Sequence, residues 1–262
     1  MATTLAEILD TTRRTLPPLQ ARMRELEAAA ARAPVPPPFG AGLRGPRLGL
    51  VAEVKRRSPS AGAIRVDLRP DERAARYAAA GAAAISVLTD GPYFGGSLKD
   101  LESVARAVPV PVLRKDFILH EAQILEARAA GASAVLLIVR ALEPHRLREL
   151  LAFARGAGLA ALVEVHARAE LDVALESDAR VIGVNSRDLD TFRIDVDAAW
   201  ALVAGVPADR VAVAESGMST PADVERAAAA GADAVLIGTA LSAADDPTAL
   251  AAAFAGVRRR GR

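Results

Sequence analysis

Four stretches of this chain repeat one pattern, an alanine-rich segment passing through a glycine into a continuously apolar, β-branched run: residues 77–88, 126–139, 153–165 and 225–238. Gly81, Gly131, Gly158 and Gly231 stand where the end of a helix needs a residue tolerant of the left-handed conformation. The runs that follow are apolar on both faces, as strands of a helix-covered parallel sheet must be. Eight such runs occur, at 48–54, 83–89, 110–116, 134–139, 160–165, 181–185, 211–216 and 234–238. Eight strands alternating with helix-length segments predict an α/β fold, a (β/α)8 TIM barrel, over an open doubly wound sheet. Helix starts agree: Pro70 precedes Asp71 and Glu72, and Pro221 follows the capping candidates Ser219 and Thr220.

At 262 residues the chain can form one large barrel domain, expected over 48–262. Residues 1–47 lie outside the repeat and read as an N-terminal helical extension and a proline-rich linker. Thr4 and Glu7 have capping-box spacing, and a second helical pattern covers about 18–32. Two roles are open for this extension, a plug for the barrel bottom or a lid beside an active site.

Composition removes several function classes. Lysine and arginine number 33 against 32 aspartates and glutamates, so no global field recruits nucleic acid or an anionic membrane. The basic tail at 258–262 reads as a solvated end. There is no cysteine, which excludes disulfides, thiolate nucleophiles and Cys-ligated zinc. His120, His145 and His166 show no metal spacing, so neither a metal nor a cofactor is expected. No apolar run reaches the roughly eighteen residues of a membrane span, and the first residues have acids and threonines where a leader needs an apolar block. A cytoplasmic protein is expected.

In this fold the chemistry lies at the C-terminal strand ends. The polar residues there are Glu53 and Lys55, then Arg114, Lys115 and Asp116, then Glu164, then Asn185 and Arg187, then Glu215 and Ser216. Residues two apart on a strand share a face, so Glu53 and Lys55 point the same way. Burying unpaired charge is costly, so convergence on one rim suits acid–base chemistry better than packing alone. Gly217 and Gly238, after the seventh and eighth strands, stand where backbone N–H groups meet a phosphate in barrels of this kind. These residues point to an enzyme acting on a phosphorylated, acidic small molecule.

The blocks AEVKRRSPSAG, ISVLTDGPYFGGSLKDL, PVLRKDFILHEAQILEARAAGASAVLLIV, LVEVH, IGVNSRDLDTFRIDV, VAESGMSTPADV and VLIGTALSAADDP resemble the indole-3-glycerol-phosphate synthase family of tryptophan biosynthesis. The resemblance covers nearly the whole chain, and it favours a lid role for residues 1–47. It implies a carboxy-lyase that closes the ring of 1-(2-carboxyphenylamino)-1-deoxyribulose 5-phosphate with loss of carbon dioxide and water.

Carried over by motif, the resemblance makes Lys115 the general acid and Glu164 its partner acid/base. Lys55 and Ser58 would hold the substrate's anionic groups, and Glu53 would serve the hydroxyl chemistry and set the lysines' charge state. Asn185 and Glu215 would orient ribulose hydroxyls, while Ser216, Gly217, Gly238 and Thr239 would cradle the phosphate with Lys55. Phe94, Phe117, Arg187 and Leu189 would shape the aryl pocket. A lysine serves as acid near neutrality if neighbouring cations and partial burial lower its pKa, with Arg114 and Lys55 the expected neighbours. His120 and His166 flank the catalytic motifs and are expected to be exposed loop residues, with a supporting role behind the catalytic groups as the alternative. A monomer is expected, with a homodimer as the alternative. A catalytically silent barrel would need the phosphate cradle but not the acid–base set.

Overall fold

The computed structural model describes residues 4–261. Met1 to Thr3, within the segment expected to lack a leader, and Arg262, the end of the basic tail, lie outside the described residues. Eight strands form a closed barrel: β1 (Gly49–Val54), β2 (Ala84–Leu88), β3 (Val112–Lys115), β4 (Ala134–Ile138), β5 (Ala160–Val165), β6 (Val181–Asn185), β7 (Val211–Glu215) and β8 (Ala234–Ile237). Each pairs in parallel with the next, and β8 closes on β1. All eight predicted runs are strands. The largest trimming is at β3, expected over 110–116.

The helices are α1 (Leu5–Gln20), α2 (Met23–Arg32), α3 (Pro70–Ala79), α4 (Gly91–Phe94), α5 (Leu98–Ala107), α6 (Glu121–Ala129), α7 (Pro144–Gly156), α8 (Arg168–Glu176), α9 (Val196–Ala204), α10 (Pro221–Ala229), α11 (Thr239–Ala243) and α12 (Thr248–Gly256). The four repeat glycines have φ between 76° and 96°, the left-handed region that ends each helix and turns the chain into its strand. Pro70 opens α3, and Thr220 forms a capping box with Asp223 before α10.

Alternation along each strand builds two apolar layers. On β1, Leu50, Ala52 and Val54 pack outward beneath the helices, while Val51 joins the inner cluster with Leu113, Leu136, Leu162 and Val213. Each such leucine or valine contributes about 1.5–3 kcal/mol on leaving water. The inner face therefore stays apolar until the strands reach their C-terminal ends, where the polar residues begin.

The N-terminal segment touches both ends of the barrel. Thr4 and Glu7 form the expected capping box, and α1 sets Leu5, Ile8 and Leu9 into the cluster that holds Phe117, with Leu189, Tyr93 and Phe94 packed against it. Thr11 Oγ1 lies 2.9 Å from Tyr93 Oη, and Leu5 N–H donates to Asp190 Oδ1 at 3.4 Å. This end leans on the rim that carries the chemistry. The chain then descends: α2 packs Leu26 and Ala30 on Ala122 and Leu125 of α6, and Arg128 holds the Ala33 and Pro34 carbonyls. At the far end Phe39 and Leu43 close the barrel bottom. A Cβ on Gly49 would stand 2.8 Å from the Leu43 Cα, so glycine there is what lets the plug seat.

The second helical pattern, expected over about 18–32, begins at Met23, because α1 runs through Pro17 and Pro18 to Gln20. Both prolines give up an N–H that an interior helix residue would use. No helix among the described residues is long and apolar enough to cross a membrane.

Candidate active site

Strand alternation puts Glu53 and Lys55 on the inner face of β1, as their spacing requires. Lys55 Nζ is 2.8 Å from Glu53 Oε1. Lys115, inward on β3, brings its ammonium to 2.9 Å from Glu215 Oε2, 3.4 Å from Glu53 Oε2 and 3.9 Å from Glu164 Oε2. Two lysines and three glutamates from β1, β3, β5 and β7 thus meet at one end of the barrel. The glutamates are buried, and each would cost several kcal/mol if left unpaired.

The electrostatics differ from the sequence expectation for Lys115. Burial alone would lower its pKa, but Glu215, Glu53 and Glu164 outweigh it and raise the pKa well above the ordinary lysine value. Lys115 therefore holds its proton across the neutral range. Arg114 is not its neighbour. One residue out of phase on β3, it faces the helix layer and binds Asp116, Thr89 and Glu126. Burial pushes the Glu215 carboxyl up to about 8, against the pull of Lys115 and with the Glu164 charge adding to it. Burial would likewise raise Glu53, but Lys55 and Lys115 hold it below its ordinary value. Glu53 is the ionised partner of both lysines, and Glu215 the protonatable one.

Above this cluster opens a cavity of about 520 Å³. Its lining includes Glu53, Lys55, Ser58, Phe94, Lys115, Phe117, Glu164, Asn185, Arg187, Leu189, Ser216, Gly217, Gly238 and Thr239. Of the site residues read from sequence, Glu215 alone is not in that lining; it is fully buried and touches Lys115. Leu136, Ile138 and Leu236 make an aliphatic floor, and Phe192 and Ile194 extend the wall. These five were not singled out in the sequence. The first three are ordinary apolar strand residues, and only their inward parity distinguishes them.

Ser242 Oγ accepts the Lys55 N–H at 3.2 Å and donates to the Glu53 carbonyl at 3.1 Å, tying α11 to the end of β1. After Lys55 the chain makes a small antiparallel hairpin, Arg57–Ser58 against Gly62–Ala63. Arg56 anchors it through Asp100 Oδ2 at 2.6 Å and the Gly95 carbonyl at 3.2 Å. Arg187 donates to the Phe192 carbonyl at 3.2 Å and forms no ion pair among the described residues.

Two glycines make room for the carboxylates. A Cβ on Gly238 would stand 2.1 Å from Glu53 Oε1, and one on Gly183 2.0 Å from Glu215 Oε1. Gly183 had no sequence signal of its own. On the β7 side, Ser216 and Gly217 adopt φ of 64° and 71°, a left-handed turn at the cavity wall.

The histidines also differ from expectation. His166 is not an exposed loop residue: its side chain is 3% exposed and lies beside Glu164 and Glu170. It keeps the inward parity of Glu164, which the loop-like stretch after it disguised. His120 is partly exposed and caps α6, its Nδ1 accepting the Ala122 N–H.

The fold resembles that of thiamine phosphate pyrophosphorylase from Pyrococcus furiosus, with a TM-score of 0.60 at 16% identity over 79% of this chain and 93% of that one. The model of the indole-3-glycerol phosphate synthase family matches residues 5–254. Indole-3-glycerol phosphate synthase of Opitutus terrae is 48% identical over 260 residues, 95% of this chain and 97% of the relative. That of Saccharopolyspora erythraea is 49% identical over 223 residues, covering 85% and 83%. On the family match and the near-complete coverage, the chain belongs to the indole-3-glycerol phosphate synthase family.

Proposed function

We propose that this chain converts 1-(2-carboxyphenylamino)-1-deoxyribulose 5-phosphate to indole-3-glycerol phosphate, as a carboxy-lyase with Lys115 as general acid. The observation that carries the assignment of roles is the Lys115 ammonium held among Glu53, Glu164 and Glu215 at the floor of a cavity large enough for the substrate.

The ring carbon that bears the carboxylate attacks the ribulose carbonyl, and the carbonyl oxygen becomes a hydroxyl by taking the Lys115 proton. With its pKa raised by the three glutamates, Lys115 is fully protonated and gives up its proton only to the developing alkoxide, which is the stronger base. The carbon–carboxylate bond then breaks, its electrons restoring aromaticity as carbon dioxide departs. Glu164 takes a proton from the methylene beside the nitrogen while the hydroxyl leaves as water with a proton from Lys55, Lys115 having already given up its own. Every atom is accounted for without an oxidant or reductant.

The other residues bind and orient. Arg187, a cation with no carboxylate partner among the described residues, and Lys55 face the substrate's carboxylate. Ser216, Gly217, Gly238 and Thr239 take the phosphate on their backbone N–H groups, and Phe94, Phe117 and Leu189 enclose the aryl ring. Asn185 orients a ribulose hydroxyl, and Ser58 borders the entrance. Glu215, below the cavity lining, acts through Lys115 rather than on a hydroxyl. We take the enzyme to be cytoplasmic and to act as a monomer.

The test is turnover of that substrate by the purified full chain without added metal, followed by indole fluorescence between pH 6 and 9. Product formation is expected. No product at any pH in that range would overturn the assignment.

A further inference from the structure

His166 is a buried titratable side chain that the chemistry above does not use. Its ring stands between two carboxylates, Nε2 at 3.4 Å from Glu164 Oε1 and Nδ1 at 3.3 Å from Glu170 Oε2. Nε2 is buried and makes no hydrogen bond of good geometry. Glu170 Oε2 also accepts the His166 backbone N–H at 2.7 Å, and Oε1 accepts Arg140 Nε at 3.0 Å. Arg140 Nη1 continues to Asp188 Oδ2 at 3.0 Å, and Asp188 accepts the N–H groups of Asp190 and Thr191. A continuous chain of contacts therefore runs from Glu164 to the loop that carries Arg187 and Leu189.

A neutral imidazole has one N–H and cannot donate to both carboxylates. Nδ1 makes the ring's hydrogen bond, to Glu170; burial would raise that carboxyl, but bonds from the His166 ring and backbone and the charge of Arg140 hold it below its ordinary value. The Nδ1–H is thus fixed on Glu170, as a carboxylate fixes a histidine tautomer elsewhere. The site between Nε2 and Glu164 Oε1 is left to hold one movable proton. The charged groups around the ring are Glu164 on β5, Glu170 on α8, Arg140 beyond Glu170, and Lys115 beyond Glu164.

We propose that His166 is a positioning residue that makes Glu164 a competent base within the dehydration step, by taking up a proton from Glu164 as Glu164 removes one from the substrate's methylene. As Glu164 takes the substrate proton, Oε1 passes a proton to His166 Nε2, giving an imidazolium between two carboxylates; once product leaves, that proton returns to Glu164 and goes on to Lys115, 3.9 Å away, replacing the one Lys115 gave the carbonyl oxygen. Glu170 and Arg140 hold the ring in register for this. The inference rests on the assignment of Glu164 to the dehydration step.

That dependence makes it testable by comparing the two products. In a single turnover of the full chain with the carboxyphenylamino substrate, carbon dioxide reports ring closure and indole fluorescence reports dehydration. For His166→Asn, indole formation should slow about tenfold or more, less than the 10²–10⁴ of a group that touches substrate. Carbon dioxide release should stay within about threefold of the unmodified chain, KM should change little, and the pH dependence of indole formation should shift. Glu170→Gln, which removes the tautomer anchor while leaving the ring, should give the same separation and serves if His166→Asn fails to fold. Equal slowing of both products, or no slowing in either folded variant, would overturn the proposal. If the unmodified chain released neither product, the functional assignment itself would be at fault.

Discussion

Lys115 Nζ lies 2.9 Å from Glu215 Oε2, and the two residues come from β3 and β7, diametrically opposite in the eight-stranded ring. Their contact crosses the barrel at its catalytic end. It couples an amine kept protonated to a carboxyl kept near its titration point.

That coupling has a pH signature. The Glu215 carboxyl is raised by burial to about 8, above the ordinary value it regains on unfolding. Between the two values the folded state binds the extra proton, so this group makes stability fall as pH rises. Glu215→Gln removes that dependence. Thermal unfolding from pH 5 to 9 should show the variant's stability improving relative to the unmodified chain as pH rises. An improvement toward low pH would contradict the assigned direction.

Gly183 should be a catalytic vulnerability with little effect on folding. A Cβ there would lie 2.0 Å from Glu215 Oε1, the end of a side chain that can swing aside, and 3.2 Å from a Leu162 methyl. Gly183→Ala is expected to fold, to displace Glu215 from Lys115, and to lower kcat by about 100-fold, as misplacement of a catalytic group by an ångström can. A folded variant with unchanged kcat would show that the Lys115–Glu215 contact has no part in turnover.

α1 should matter to substrate binding. Ile8 is buried in the cluster that includes Phe117 at the cavity wall. Ile8→Ala should cost about 2–5 kcal/mol in stability if the site cannot collapse, and KM should rise more than kcat falls. Wild-type KM in a variant with measurably loosened α1 would reduce that helix to a structural cover.

The strands were legible because each is a bounded apolar run, four of them beside a helix-ending glycine. Glu53, Lys55 and Glu164 were legible because a charge in such a run has no packing reason to be there. What stayed hidden was direction and partnership. Arg114 and Lys115 are adjacent in sequence, yet one faces the helices and the other the cavity. The carboxylates that raise Lys115 come from β1, β5 and β7, so no local spacing announces them. His166 looked like a loop residue because α8 begins only at Arg168, although its ring keeps the inward direction of Glu164. Local sequence does not separate plug from lid for the N-terminal segment, because it does not say that the segment's two ends reach opposite ends of the barrel.

The most direct test of the account is turnover by Lys115→Met beside the unmodified chain, both at pH 7.5 with the carboxyphenylamino-deoxyribulose phosphate substrate. Far-ultraviolet circular dichroism establishes that the variant is folded. The unmodified chain should yield one carbon dioxide per indole-3-glycerol phosphate, and the variant should lose about two to four orders of magnitude in kcat. Carbon dioxide release should fall with indole formation, because ring closure itself lacks its acid. A folded Lys115→Met that keeps most of its activity would contradict the central claim.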